Sequence, residues 1–170
     1  MGAAVAQHTG AELGGLIWAS MARRVMRRPP EQTSPRHLKF PLTPAEKEIR
    51  MDFETLMQAN LDQVFGERDP TRRMAAIRRI YHANAELHEV QRSVQGYEPI
   101  SQAVEQLLAH LPPTFEFTAI RPAIGHNGVG RLQWRAGPPG GPVVVTGTDV
   151  AHIDDGLIRA LHVFLDQPDA

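Results

Sequence analysis

The stretch VVVTGTDVAHIDDGLIRALHVFLD, residues 143–166, decides the fold. β-Branched residues dominate Val143 to Ile153, and successive side chains of a strand point to opposite faces. One face then carries Val143, Val145, Gly147, Asp149, Ala151 and Ile153; the other carries Val144, Thr146, Thr148, Val150 and His152. Asp154-Asp155-Gly156 is a hairpin signal. Leu157–Leu165 returns as a second strand, with Leu161, Val163 and Leu165 on one face and Arg159 toward its start. Ile158, Ala160, His162 and Phe164 fall on the other face. The first face of 143–153 is apolar except for Asp149, so one carboxyl group stands where a core should meet the sheet. An ionised carboxylate in such a place is costly unless it is paired, hydrogen-bonded or neutralised by a raised pKa.

Working upstream, GRLQWRA reads as a strand ahead of the loop GPPGGP, and TFEFTAIRPAI alternates before the turn GHNGVG. Helical periodicity rules the earlier part. Thr43 as N-cap, Pro44 and Glu46 predict a helix start with a capping box, and the helix runs to about Phe65. Its inward stripe is Ile49, Phe53, Leu56, Met57, Asn60 and Val64, in which Asn60 alone is polar. Asp69 and Pro70 start a second helix with Met74, Ile77, Ile80 and Tyr81 inward, and Arg72, Arg73, Arg78 and Arg79 as its solvated face. AELHEV is a short strand with Ala85, Leu87 and Glu89 on one side. A third helix spans about Glu98 to Leu111 and stops at Pro112-Pro113. Helices first and an antiparallel meander afterwards make an α+β fold.

With 170 residues, 42% hydrophobic and 22% charged, the chain has the size and composition of one globular domain. Residues 1–43, rich in Ala, Gly and Arg and closed by RRPPEQTSPRH and PLTP, read as a disordered or weakly helical N-terminal extension; 44–167 is the domain. Residues 1–40 carry a net +4 and the remainder −5, and an acidic body argues against nucleic acid as the partner. No apolar run approaches the length of a membrane span. Zero cysteines remove disulfides and thiolate metal sites, and no histidine pair has helical ligand spacing, so neither a metal nor another cofactor is expected. A cytoplasmic location fits this composition.

Asp149, Glu89 and Asn60 are three polar residues on three otherwise apolar faces, the pattern of a greasy pocket with a few placed polar groups. Each also has a plainer reading: Asp149 as a structural hydrogen-bonder, Glu89 at a solvated strand end, Asn60 turned outward by a small helix rotation.

The order of elements, together with Gly147-Thr148-Asp149, Asp155-Gly156-Leu157-Ile158, Phe164-Leu165-Asp166 and the segment YHANAELHEVQRSVQGYEPI, resembles the nuclear transport factor 2-like superfamily, most closely its SnoaL-like branch. That resemblance implies a cone-shaped, curved antiparallel sheet wrapped around helices, with Asp149 facing an apolar pocket. Against the ketosteroid isomerase pattern, Asp149 falls where a neutral acid sits, Glu89 where the base sits, and Asn60 in place of an oxyanion-hole tyrosine. Against the epoxide-hydrolase pattern, Gly147 stands where an arginine is required. SnoaL itself is a cyclase with an Asp acid/base, for which Asp149 is the candidate.

The resemblance implies acid/base isomerisation or cyclisation next to a carbonyl on a small apolar ligand, with Asp149, Glu89 and Asn60 as catalytic candidates. Tyr81, Leu132, Trp134, Leu161 and Val163 are the expected ligand-binding walls. The alternative is a non-catalytic ligand-binding or oligomerising module of the same fold. A homodimer is expected through Val144, Thr146, Val150, His162 and Phe164 on the outer sheet face.

Overall fold

The computed structural model describes residues 53–166. Helix α1 covers 53–60 and passes without a break into a π-helical turn, Leu61–Phe65. Phe53, Met57, Asn60 and Val64 of the expected stripe are buried and Leu56 is half-buried, while the π-helical turn also buries Leu61 and Phe65. α2 is Pro70–Ile80, with the Asp69 side chain accepting from the Arg72 backbone N–H at 2.8 Å, as the Asp-Pro start predicts. β1 is Tyr81–Glu89, β2 Arg92–Gln95 and α3 Tyr97–Ala109. The remaining strands are β3 Glu116–Ala119, β4 Ile124–His126, β5 Val129–Gly137, β6 Val145–Asp154 and β7 Leu157–Leu165. The expected helix start at Thr43 and the N-terminal extension lie outside the described residues.

The seven strands form one curved sheet in the order β2-β1-β7-β6-β5-β3, with β4 also on β5. It is antiparallel except where β1 runs parallel to β7. This pairing joins the first strand of the chain to the last, and it brings Leu87 beside Leu161 and His88 beside His162. The concave face wraps the helices, and the shared core includes Met57, Ile77, Leu87, Ile100, Val104, Leu132 and Leu161. Two Asn/Asp-Gly turns set the registers at one end of the sheet. Asn127-Gly128 joins β4 to β5 and Asp155-Gly156 joins β6 to β7, all four residues having φ between 49° and 74°. These are the left-handed pairs that match the twist of a tight hairpin.

Several expectations need correction. Tyr81 is the first residue of β1, not the end of α2, and β2 is a strand the sequence reading passed over. TFEFTAIRPAI is two short strands, β3 and β4, separated around Pro122, which cannot donate to a ladder. Val143 precedes β6 and is 37% exposed. The register shifts between His152 and Ile153, which turns Ile158 fully inward, against its assignment to the outer set. Arg159 is exposed and pairs with Asp154 at 3.1 Å. Arg73 is not on the solvated face of α2; it is buried and donates to Ser101 Oγ at 3.2 Å and to the Glu67 carbonyl at 2.8 Å. The guanidinium therefore ties the start of α2 to α3 from inside.

One glycine is required by a close approach. Gly147 of β6 is the register partner of Trp134 on β5. A Cβ there would lie 2.5 Å from Trp134 Cζ2 and 2.6 Å from the Phe164 carbonyl oxygen. The indole thus lies in space that only glycine leaves open. Gly147→Ala is expected to lower unfolding stability by about 1–3 kcal/mol through overpacking, as measured by denaturant melts. Unchanged stability would mean that Trp134 has another place to go.

Candidate functional site

The inner face of β6 places Asp149 between Leu132 on β5 and Val163 on β7, its two register partners. Asp149 is 2% exposed. Trp134, two residues from Leu132 and so on the same face, donates from its indole Nε1 to Asp149 Oδ1 at 2.7 Å. Burial pushes the carboxyl up to about 7, against the opposing pull of the Trp134 hydrogen bond, which favours the anion. Near neutral pH this group therefore exchanges between acid and carboxylate, whereas an ordinary carboxyl is fully ionised there.

A small cavity opens in front of Asp149. The π-helical turn of α1 contributes Leu61 and Phe65, four residues apart, and α3 contributes Leu107. Phe117 comes from β3, Trp134 from β5, Val163 from β7, and Glu89 from the end of β1. The rings of Phe65, Phe117 and Trp134 meet edge to face, at 6.5 and 5.6 Å between centroids. The cavity measures about 10 Å³, room for one water molecule. The wall is aliphatic and aromatic apart from the two carboxyl groups and the indole N–H.

The expected site residues separate into two groups. Glu89, Trp134, Asp149 and Val163 meet at the cavity. Leu132 and Leu161 are buried in the core on either side of β6 but are not among its lining. Asn60 and Tyr81 are also outside the lining, and they form a buried pair in which the Tyr81 hydroxyl donates to Asn60 Oδ1 at 2.6 Å. Asn60 Nδ2 is buried without a hydrogen-bond partner. Burial, and then the Asp149 charge, hold the Tyr81 hydroxyl well above its usual pKa, so it stays protonated as a donor.

Glu89 is not a free carboxylate. Arg92, across the turn from it, donates from Nε to Glu89 Oε2. The sequence reading missed Arg92, because only the unforeseen β2 puts it opposite Glu89. It also missed Leu61, Phe65, Leu107 and Phe117. All four are visible in the sequence as apolar helix or strand positions, yet nothing there distinguishes a cavity wall from any other core residue. No group of three or more His, Cys, Asp or Glu among the described residues is placed to hold a metal. No described helix is long and apolar enough to cross a membrane.

The sequence profile of the SnoaL-like domain matches residues 60–161. No curated protein matches the chain. Among solved structures, a SnoaL-like family isomerase candidate from Agrobacterium tumefaciens superposes with a TM-score of 0.64 at 25% identity, covering 69% of this chain and 99% of that one. A SnoaL-like polyketide cyclase candidate from Jannaschia superposes with a TM-score of 0.56 at 17% identity, covering 75% and 92%. A de novo designed protein with a curved β-sheet reaches a TM-score of 0.53 at 12% identity, covering 69% and 87%. The architecture therefore also exists in a protein made to order, and chemistry has to be argued from the cavity alone.

The Asp149 carboxyl gives the cavity a pH signature. Its folded pKa is raised, so the folded state holds the proton more tightly than the unfolded chain does. The stabilisation is complete below the unfolded value near 3.8 and is lost as pH climbs through about 7. Asn cannot ionise, and its Oδ1 can still accept from Trp134. Between about pH 5 and 8.5, the stability difference between Asp149→Asn and wild type is expected to swing toward the variant by about 2–3 kcal/mol. Denaturant melts across that range measure it. A flat difference would mark Asp149 as a buried anion held by donors, and thus as scaffold.

Proposed function

The chain belongs to the SnoaL-like domain family, and from that premise we propose that its domain, residues 44–167, holds a small apolar molecule bearing a carbonyl and moves a proton at the adjacent carbon. The observation that carries this reading is the Asp149 carboxyl, sealed among apolar walls and poised near neutrality. A protonated Asp149 donates to the carbonyl oxygen, which lowers the cost of enolisation. Glu89 is the base. Arg92 engages its Oε2, which leaves Oε1 to take the proton from carbon. Return of that proton to a different carbon completes an isomerisation, and attack of the enol on a second carbonyl completes a cyclisation.

Trp134 orients the acid, and Val163 with the Phe117 ring supplies apolar wall. Asn60 and Tyr81 act in this reading as a positioning pair that holds α1 to β1, with Leu132 and Leu161 packed beside the acid.

A second reading has an observation of its own. The ion pair with Arg92 occupies Glu89 Oε2, which favours a ligand-binding module without turnover. Hydrogen–deuterium exchange next to the carbonyl of small cyclic ketones in heavy water, followed by NMR, separates the two. The enzyme reading expects exchange well above the buffer rate, falling by about 10²-fold or more in Asp149→Asn. No exchange from any ketone, with one of them retained by the protein, would support the binding module instead.

We also propose that the outer sheet face joins two copies of the chain. Phe164 is 55% exposed there, beside half-buried Val144, Thr146, Val150 and His162. Exposed Arg131 and Arg135 of β5 lie toward one side of that face and Glu86 of β1 toward the other. A two-fold axis through the middle sets basic side against acidic side. Sedimentation at micromolar concentration is expected to give a dimer that Phe164→Glu dissociates. A wild-type monomer would remove the proposal.

A further inference from the structure

The cavity has room for one water, so an organic ligand can enter only if a wall moves. Most of the wall is fixed. The strands carrying Trp134, Asp149 and Val163 are each paired on both sides. Leu61 and Phe65 are 1% and 5% exposed in a helix packed against the sheet. Phe117, 9% exposed on the edge strand β3, is packed between the Phe65 and Trp134 rings, and Leu107 on α3 is 5% exposed. One piece remains: Glu89, the last residue of β1 before the turn at Val90-Gln91.

The turn itself is exposed and does not match the strand twist. Neither Val90 nor Gln91 has the positive φ that fits a two-residue hairpin to the strand twist, and Val90 is 69% exposed. What holds Glu89 against α3 is Arg92. Its Nε donates to Glu89 Oε2, its Nη1 to Gln106 Oε1 at 2.6 Å, and its Nη2 to the Ala103 carbonyl at 2.9 Å. Every nitrogen of the guanidinium is thus spent on Glu89 or on α3. The side chains of Arg92 and Glu89 are 25% and 17% exposed, so water can reach the clasp and replace its bonds.

We propose that Arg92 is the latch of the cavity: while it bridges Glu89 to α3 the cavity is shut, and its release lets the β1–β2 turn and α3 part to admit a ligand. It is therefore a gating and specificity-determining residue rather than a catalytic one, and the proposal rests on the cavity being the ligand site. The latch also couples entry to chemistry, because the same guanidinium engages the carboxylate proposed as base.

The test reads access before it reads binding. The sequence has two tryptophans, Trp18 and Trp134. In a Trp18→Phe background the emission comes from Trp134, in the cavity wall. Arg92→Ala is expected to raise quenching of Trp134 by acrylamide about threefold or more while the far-UV spectrum is kept. Gln106→Ala, which removes one bond of the clasp from an exposed helix position, should give a smaller rise. Arg78→Ala, which breaks the exposed Arg78–Glu98 pair between α2 and α3, should give none.

Quenching in folded Arg92→Ala equal to the parent overturns the latch. If Arg92→Ala fails to fold, Gln106→Ala decides, and no rise there overturns it equally. Titration with 2-cyclohexenone then tests the site. Faster association in Arg92→Ala supports a gate on a ligand cavity. Raised quenching with no cyclohexenone binding in either protein keeps the latch and removes the ligand reading.

Discussion

Burial of one carboxyl group is the constraint from which the inner face of this sheet follows. Asp149 has an aliphatic residue on each side in its ladder, Leu132 and Val163, and aromatic rings in front. Desolvation favours the neutral acid, and the 2.7 Å bond from Trp134 favours the anion. Desolvation prevails, but not by enough to keep the group neutral at all pH values. Trp134 can reach Asp149 only because its register partner Gly147 has no side chain, and Gly147 is also where an arginine would stand in a different catalytic pattern. One missing side chain thus both excludes one chemistry and seats the hydrogen bond on which the other depends.

The helices are held to this face by polar contacts at least as specific as the apolar ones. Arg73 is buried at the start of α2, bonded to Ser101 and to the Glu67 carbonyl, and Arg68 reaches the Leu108 and Pro112 carbonyls at the end of α3. Arg92 does the same from the sheet side. Three guanidiniums thus anchor α3 at its beginning, middle and end. Their fixed forks suit this task, since one group can bridge several carbonyl or carboxylate oxygens. The Asn60–Tyr81 bond adds a fourth tie, between α1 and β1, at the cost of leaving Asn60 Nδ2 unpaired.

What could be read from the sequence was local. Alternation in β6 and β7, the Asp155-Gly156 turn and the Asp69-Pro70 helix start each depend on residues a few positions apart. Each is present, the alternation broken only at the register shift that turns Ile158 inward. The burial of Asp149 was legible for the same reason, because its own strand supplies the apolar neighbours. The parallel pairing of β1 with β7 was not, since it joins residues about seventy positions apart and leaves no periodic trace. Arg73 was read as solvated because helix periodicity cannot see Ser101, 28 residues on, waiting to accept from it. Asn60 was read as a ligand donor because the stripe shows its direction but not Tyr81. Glu89 lines the cavity, while its ion pair lies hidden in a strand of four residues with little pattern of its own.

The closed cavity and the poised acid are one thermodynamic system. Desolvation is the largest cause of the high Asp149 pKa, so any opening that lets water reach the carboxyl brings its pKa down and releases its proton. Closure around an apolar guest expels that water and draws the proton back. An apolar ligand and a proton on Asp149 therefore favour each other's binding, by the reciprocity that linkage imposes. An anionic ligand meets the opposite situation, because its charge would be desolvated by the same apolar walls that raise the Asp149 pKa. In the proposed reading, a preference for neutral guests is in this way built into the burial of a single side chain, before any contact specific to the ligand is made.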